Sequence, residues 1–424
     1  MNHPISTHKL QIQSFLHFLL AIPLILVFSA CRVESPVKKA VLADHAMVVT
    51  AHPKATQVGI DILKQGGNAF DAAIATQFAL AVVYPAAGNI GGGGFMVGRD
   101  RQSRIYALDF REMAPSAASR DMYLDSAGEV IKDLSWFGHL SAGVPGSVAG
   151  MEALHDSLGL LSWTELLQPA IDLATDGFAL TEKEVKNLMQ KWTYIEQYNT
   201  RPNVYISKTD WQAGDTIRHP ELAFVLTQIR DQKSKGFYEG PVADSIVAEM
   251  QRSNGLITLE DLKNYHPVWR EPIRGTYHDL QIISMPPPSS GGIALVQLLK
   301  SVEPYPLAKW GWHDTRTIHL MVEAERRAYA DRATHLGDPD FYEVPITQLI
   351  DTGYIKARMA TFDPFTASAS QEIAAGNFTE SEATTHFSIV DSLGNAVSLT
   401  TTLNGSYGSC VVVGGMGFFL NNEM

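Results

Sequence analysis

Cysteine is almost absent from this sequence, which contains only Cys31 and Cys410 in 424 residues. Small exported domains with a thin core depend on frameworks of several disulfides, and two cysteines cannot supply one. The fold must therefore be held together by a hydrophobic core. The composition allows this, because 45% of the residues are hydrophobic and 18% are charged, as in a globular protein rather than a disordered one.

An excess of positive charge is also lacking. The chain has 33 Lys and Arg against 45 Asp and Glu, which gives a formal net charge of -12. A protein that binds nucleic acid replaces phosphate counterions with a basic stripe, and this sequence has none. We therefore expect no nucleic-acid partner and favour small-molecule partners.

The clearest apolar run, residues 15–28, follows Lys9 and is too short and too early for a confident membrane-spanning helix. It predicts a secretory signal peptide over residues 1–31 and export to the bacterial periplasm or cell envelope. Small residues precede Cys31 as in a lipoprotein cleavage site, where this cysteine would carry a lipid anchor. Phe28 is an unusual occupant of its position in such a site, so ordinary cleavage nearby remains the alternative.

His319 and Glu323 lie one helical turn apart, with His335 further along, and such a grouping suggests a metal site. The pattern lacks the HExxH spacing and a third ligand. A hydrogen bond or salt pair on a helix face is the better interpretation. We therefore predict no metal.

The glycine-rich stretch GNIGGGGFMVG occupies residues 88–98. A phosphate-binding loop would follow a strand and open a helix. Here the order is reversed: residues 69–84 predict a buried helix that stops before Pro85, and strand-like residues follow the glycines. Close packing of the backbone is the better explanation.

A polar tract and a hairpin follow near the end of the chain. Residues 362–383 lack an apolar period and predict an exposed loop. Alternating β-branched residues then predict a hairpin with a three-residue loop at 392–394. This register places Thr384 opposite Thr402, with Asn404 further along the same face, whereas a two-residue loop would turn Thr402 to the other face.

A threonine at the start of such a strand suggests nucleophilic chemistry. Its hydroxyl needs a nearby base, and cutting the chain between Ala383 and Thr384 would supply the α-amino group of Thr384 itself. The alternative is an ordinary threonine-rich edge strand with solvated hydroxyls, and the hairpin alone favours this alternative.

Motifs spread along nearly the whole chain after the signal peptide favour a nucleophilic threonine over an ordinary edge strand. The sequence resembles the γ-glutamyltransferase (glutathione hydrolase) family of N-terminal-nucleophile hydrolases. The stretches that carry the resemblance are QGGNAFDAAIA, GNIGGGGFM, LDFREMAP, GVPGSVAG, PPPSSGG, ADRATHLGDPDF, TTHFSIVD and TLNGSYGS.

The resemblance implies an αββα sandwich, in which two mainly antiparallel sheets lie between helical layers and the hairpin from Thr384 is central. It implies a precursor that cleaves itself into a large subunit, residues 32–383, and a small subunit that begins at residue 384. The first threonine of TTHFS matches the nucleophile of the family, which is Thr384 here.

The resemblance also implies the other site residues. Arg111 matches the arginine that clamps the α-carboxylate of the γ-glutamyl group, although an Arg beside Glu112 would more often be a surface salt bridge. Thr402 matches the threonine that supports the nucleophile's hydroxyl. Asn404 and Glu423 match residues that bind the α-carboxylate and the α-amino group.

The expected substrates are glutathione and other γ-glutamyl compounds. Water, amino acids or peptides would accept the acyl group, and no cofactor is implied. A cephalosporin acylase that removes a glutaryl group has the same architecture and is the nearest alternative, but Glu423 favours a substrate with an α-amine. A non-catalytic exported lipoprotein that binds γ-glutamyl peptides is the second alternative.

Two departures from the family pattern concern Cys410 and the end of the sequence. Cys410 could be a reactive thiol, but a small buried apolar residue is the better expectation. Family members continue past this point with an Asp pair, a Ser-Ser element and a Gly-Gly oxyanion hole. We therefore expect residues 384–424 to be an incomplete small subunit and this chain alone to be inactive.

Overall fold

The computed structural model describes residues 40–373 and 384–424. The predicted signal peptide at 1–31, the possible lipid attachment at Cys31 and the residue before the expected cut, Ala383, lie outside the described residues. The predicted polar loop at 362–383 is described as far as residue 373, and this part is mostly exposed. Residues from His45 onward belong to one structural unit.

Ten strands are present among the described residues of this unit. They are β1 (Met47–Val49), β2 (Gly93–Arg99), β3 (Ile105–Asp109), β4 (Phe178–Ala179), β5 (Thr216–Ile217), β6 (Val268–Arg270), β7 (Ile273–Tyr277), β8 (Leu280–Ser284), β9 (Thr384–Val390) and β10 (Ala396–Thr402). The α-helices in the described ranges are α1 (Pro53–Lys64), α2 (Ala69–Val83), α3 (Ser147–Leu158), α4 (Trp163–Asp176), α5 (Glu182–Tyr198), α6 (Pro220–Gln232), α7 (Lys235–Tyr238), α8 (Gly240–Arg252), α9 (Leu259–Asn264), α10 (Gly291–Val302), α11 (Leu307–Trp310), α12 (Thr315–His335), α13 (Ile346–Leu349) and α14 (Thr352–Arg358).

Six strands form the main sheet in the order β1-β9-β10-β2-β3-β6, and every neighbouring pair is antiparallel. Two further sheets have two strands each, β4 with β5 and β7 with β8. The described residues thus contain one large sheet of the expected sandwich and no second sheet of similar size. None of the helices in the described ranges is both long and apolar enough to cross a membrane.

The predicted hairpin is present with the predicted register. Its loop ends at Gly394, which has a φ of 84°, in the left-handed region that glycine adopts without strain. The backbone N–H of Asp391 donates to the carbonyl of Asn395 over 3.0 Å. Thr384 consequently pairs with Thr402, as the three-residue loop required. The hairpin lies inside the sheet, with β1 on one side and β2 on the other.

The two faces of the hairpin differ in their surroundings. Side chains of β9 alternate between exposed and buried, and the buried set includes Phe387 and Ile389. This face packs against α2, whose residues are all buried. The N-terminus of α2 is capped by Asn68, which forms a reciprocal capping box with Asp71. The prediction of a buried helix at 69–84 is therefore confirmed.

The glycine run packs its backbone tightly, as predicted. A Cβ atom on Gly91 would lie 2.1 Å from the carbonyl oxygen of Phe419, and one on Gly92 would lie 2.2 Å from that of Thr402. Side-chain atoms do not fit at these distances. The run also leads into β2 rather than into a helix, so the structure agrees with close packing and not with a phosphate loop.

Candidate active site

A cavity of about 890 Å³ lies over the open face of β9 and β10. The five residues that the sequence predicted for the site all line it. They are Arg111, Thr384, Thr402, Asn404 and Glu423. They come from the region after β3, from both strands of the hairpin and from the last residues of the chain, so the fold brings together positions that are far apart in sequence.

The nucleophile candidate and its partner face each other across the hairpin. The Oγ1 atom of Thr384 lies 3.4 Å from the Oγ1 atom of Thr402. The Thr402 hydroxyl also accepts a hydrogen bond of 2.7 Å from the backbone N–H of Asn404. Asn404 has a φ of 67°, a region that asparagine tolerates better than most residues. This turn ends β10 and directs the Thr402 hydroxyl toward Thr384.

The guanidinium of Arg111 pairs with the carboxylate of Glu423. The Arg111 side chain is 37% exposed and that of Glu423 is 19% exposed, so both can meet a ligand in the cavity. The backbone of Arg111 is fixed on both sides, because its N–H donates to Asp109 over 3.0 Å and its carbonyl accepts from the hydroxyl of Tyr265 over 2.8 Å. A surface salt bridge between Arg111 and Glu112 is not formed; the partner is Glu423.

Glu112 was overlooked as a site residue. Its side chain is buried beside the cavity, and neither carboxyl oxygen has a hydrogen-bond partner within the described residues. Burial raises the pKa of the Glu112 carboxyl well above its usual range, and the nearby charge of Glu423 raises it further. Burial therefore favours the neutral form of the Glu112 carboxyl. No local sequence pattern distinguishes it from a charged surface residue.

The amide side chain of Asn421 holds Glu423 in place. The Asn421 side chain donates to the carbonyl oxygens of Gly91 and Gly143, over 3.0 and 2.8 Å, and accepts from the N–H of Gly143 over 2.9 Å. The same side chain accepts from the backbone N–H of Glu423 over 3.0 Å. The stretch NNEM at residues 421–424 is thus tied to the glycine run.

His386 was also missed. It lies two residues after Thr384 on the cavity face, where its Nδ1 atom is 2.8 Å from the hydroxyl of Thr400. Burial lowers the pKa of the His386 imidazole, which keeps the ring neutral near pH 7. The signal was present in the sequence, because alternation along β9 places residues 384 and 386 on one face.

Within the part of the chain that the structure describes, no three His, Cys, Asp or Glu side chains are grouped so as to bind a metal. The His319 Nε2 atom instead lies 2.9 Å from the carbonyl oxygen of Asp363. Burial would raise the pKa of Glu323, but hydrogen bonds from Arg327 and Ser368 outweigh it and lower the pKa to about 2. A hydrogen bond and a salt pair are therefore present, as the sequence favoured.

The thiol of Cys410 is buried and free. Burial raises its pKa to about 12, so the reactive thiolate is not formed near neutral pH. Cys410 is the small buried residue that the sequence predicted, and it takes no part in the cavity.

Comparison with known proteins gives consistent matches. The profile of the family described as Gamma-glutamyltranspeptidase matches residues 55–424. The chain is 43% identical over 396 residues to the glutathione hydrolase proenzyme of Escherichia coli K12, covering 92% of this chain and 68% of that protein. It is 46% identical over 383 residues to the proenzyme of the same name from Pseudomonas aeruginosa, covering 90% of this chain and 68% of that protein.

Solved structures are also similar to this chain in fold. Helicobacter pylori gamma-glutamyltranspeptidase is similar with a TM-score of 0.76 and 41% identity, over 81% of this chain and all of that chain. Cephalosporin acylase from Bacillus halodurans is similar with a TM-score of 0.81 and 26% identity, over 92% of this chain and 71% of that one. The predicted fold class is confirmed by these similarities, and the sequence spans about two thirds of the length of the curated relatives above.

Proposed function

The chain belongs to the γ-glutamyltranspeptidase family, and we propose that it is a self-cleaving γ-glutamyltransferase and glutathione hydrolase in which Thr384 is the nucleophile. After a cut before Thr384, its free amine takes the proton of its own hydroxyl. The hydroxyl oxygen attacks the γ-amide carbonyl of glutathione or a related compound, and the amine of the rest of the substrate leaves. Water or an acceptor amine then takes the acyl group from the resulting ester.

The convergence of predicted residues carries this proposal. Thr384 starts a strand that is paired on both sides, and its hydroxyl meets that of Thr402. Arg111 and Glu423 line the same cavity. Pairing with β10 along its whole length, and with β1 at Ser388–Val390, holds the strand and its first residue in place, as a nucleophile requires.

The pair formed by Arg111 and Glu423 suits the γ-glutamyl group in particular. The free amino-acid end of that group carries a carboxylate and an ammonium. Its carboxylate can form an ion pair with the guanidinium of Arg111, and its ammonium can form one with the released carboxylate of Glu423. One internal ion pair is then replaced by two, so no charge is left without a partner.

A glutaryl group fits less well, which bears on the acylase alternative. It offers a carboxylate to Arg111 but no ammonium to Glu423, so binding would leave the Glu423 carboxylate unpaired in a half-buried site. The chain is also only 35% identical to the Acylase ACY 1 proenzyme of Pseudomonas sp. V22. The γ-glutamyl compound is therefore the better substrate.

The variant Thr384→Ala tests the function. The protein expressed from its native gene should split before residue 384 and hydrolyse a γ-glutamyl anilide, and the variant should do neither. Ser392→Ala, in the exposed hairpin loop, is the control and should behave like the wild type. N-terminal sequencing of the smaller product checks the cut. A product that starts elsewhere, or a variant that remains active, would contradict the assignment of Thr384.

We also propose that the protein is exported, on the strength of the apolar run at 15–28 and the small residues before Cys31. Fractionation of expressing cells should find the protein in the envelope or periplasm. If Cys31 carries a lipid, Cys31→Ser should move the protein from the membrane fraction to the soluble one. Recovery of the wild type in the cytosol would contradict export.

A further inference from the structure

Asn89 lies between α2 and β2, at the start of the glycine run, and is almost completely buried. It belongs to the sequence motif GNIGGGGFM. Its Nδ2 atom donates to the carbonyl of Thr402 over 2.8 Å, to the hydroxyl of Thr401 over 3.0 Å and to the carbonyl of Ala87 over 2.9 Å. Two N–H groups are thus shared among three acceptors.

The other atom of the amide is also occupied. The Oδ1 atom of Asn89 accepts from the backbone N–H of Gly92 over 3.0 Å and from the hydroxyl of Ser147, at the N-terminus of α3, over 2.6 Å. An amide oxygen has two lone pairs, so its capacity is used completely. One side chain therefore ties together α3, the glycine run and the end of β10.

The contact with Thr402 matters most for the site. The carbonyl of Thr402 reaches the amide of Asn89 because Gly92 has no Cβ atom in the way. This contact fixes the peptide that follows Thr402. The pairing of Thr402 with Gly93 of β2 fixes the end of the strand itself. These two contacts determine where the Thr402 hydroxyl lies. The Thr402 hydroxyl in turn contacts the hydroxyl of Thr384.

We propose that Asn89 is a positioning residue, which holds the Thr402 hydroxyl where it can support the Thr384 nucleophile. This inference rests on the proposed function. Asn89 lies on the side of the sheet away from the cavity and is not among the residues that line it. Its loss should slow the chemical steps, both self-cleavage and turnover, without weakening the capture of substrate by Arg111 and Glu423.

A double-mutant cycle tests the inference, with Asn89→Ala, Thr402→Ala and the double variant made in the protein expressed from its native gene. Self-cleavage rate, kcat and KM on a γ-glutamyl anilide are measured. Asn89→Ala should lower kcat by about 10- to 100-fold, the effect of misplacing a reacting group by a fraction of an ångström to an ångström, and leave KM near the wild-type value. In the double variant the loss should be no larger than that of Thr402→Ala alone.

Asn68 provides a matched control. It is a buried amide at the opposite end of α2, where it caps the helix and donates to the carbonyl of Leu158 over 2.7 Å. Asn68→Ala should lower the melting temperature, as Asn89→Ala should, but leave kcat unchanged. A similar loss of kcat in both variants would mean that Asn89 acts only through stability, and would overturn the inference.

Ser147→Ala keeps the test decisive where Asn89→Ala fails to fold, because it removes only one contact of the Asn89 amide. It should lower kcat by a smaller factor, and that loss should again disappear in the Thr402→Ala background. If the losses of kcat from Ser147→Ala and Thr402→Ala add in the double variant, or if Ser147→Ala has a wild-type kcat, the proposed role of Asn89 is overturned. The proposed role of Thr402 would then still stand. A wild-type kcat in Thr402→Ala would overturn the proposed role of Thr402 and the inference with it.

Discussion

Arg111 and Glu423 neutralise each other in the free protein, and this determines what a ligand must offer. A ligand that brings only a carboxylate breaks an ion pair and forms one. A ligand that brings a carboxylate and an ammonium breaks one and forms two. Charge pairing therefore favours a ligand that carries both a carboxylate and an ammonium.

Replacing Arg111 by Lys should weaken substrate capture. Lys keeps the charge but loses the planar fork that binds a carboxylate through two hydrogen bonds, each worth about 1.5–3 kcal/mol to a charged partner. We expect kcat/KM on a γ-glutamyl anilide to fall about 10- to 100-fold, while self-cleavage continues because the scissile bond has no free carboxylate. Arg120→Lys, at an exposed pair with Asp121, is the control. An unchanged kcat/KM would make Arg111 structural.

Glu112 gives a prediction about pH. Because burial raises the pKa of its carboxyl above the unfolded value near 4.5, its contribution to stability is complete below that value and is lost as pH rises toward the folded pKa. Glu112→Gln removes this dependence. The melting temperature of the variant minus that of the wild type should therefore increase from pH 5 to pH 8. The exposed Glu129→Gln is the control, and a constant difference for Glu112→Gln would show that the carboxyl is ionised.

At the scale of the element, local patterns predicted much of the fold. Alternation along β9 and β10, with glycine in the left-handed position of the loop, predicted the register that places Thr384 opposite Thr402. Uniform apolar character predicted the buried helix α2. These features depend on residues close in sequence, and so a sequence can reveal them.

The supports of the site could not be predicted in the same way. Asn89 reaches Thr402, Asn421 reaches Gly91, and Arg111 reaches Glu423, each across more than 300 positions of the chain. No local period encodes such contacts. The resemblance to a family named the residues that are expected to meet the substrate, whereas the residues that hold them became visible only in three dimensions.

Gly92→Ala should disturb the site through the backbone. A Cβ atom at residue 92 would lie 2.2 Å from the carbonyl of Thr402, so the end of β10 must move. We expect a loss of about 1–3 kcal/mol of stability, as in overpacked cores, and slower self-cleavage as the distance between Thr402 and Thr384 changes.

Gly353→Ala is the control for that experiment. Its added Cβ would lie 3.0 Å from a carboxylate oxygen of Asp351, the N-cap of α14, and would meet no backbone atom at this exposed position. Thermal unfolding and the rate of appearance of the smaller product measure the two effects. Wild-type values for Gly92→Ala would show that the glycine run is not needed to place Thr402.

At the scale of the whole molecule, the strands after the expected cut pair with strands that precede it. β9 lies between β10 and β1, and β10 lies next to β2, so the hairpin from after the cut is inserted between strands from before the cut. The carboxylate of Asp391 also accepts from the backbone N–H of Ala69 at the start of α2, over 3.0 Å. Breaking the peptide bond before Thr384 removes none of these contacts.

The two products of self-cleavage should therefore remain associated. They should elute together in size-exclusion chromatography in buffer and separate only on a denaturing gel, because Phe387 and Ile389 are buried against α2. Phe387→Ala should bring dissociation to a lower urea concentration, since truncating a buried Phe costs about 3–5 kcal/mol. Ser392→Ala, in the exposed loop, should not. Elution of the smaller product by itself in buffer would mean that the sheet does not hold it, and that the cut changes the fold.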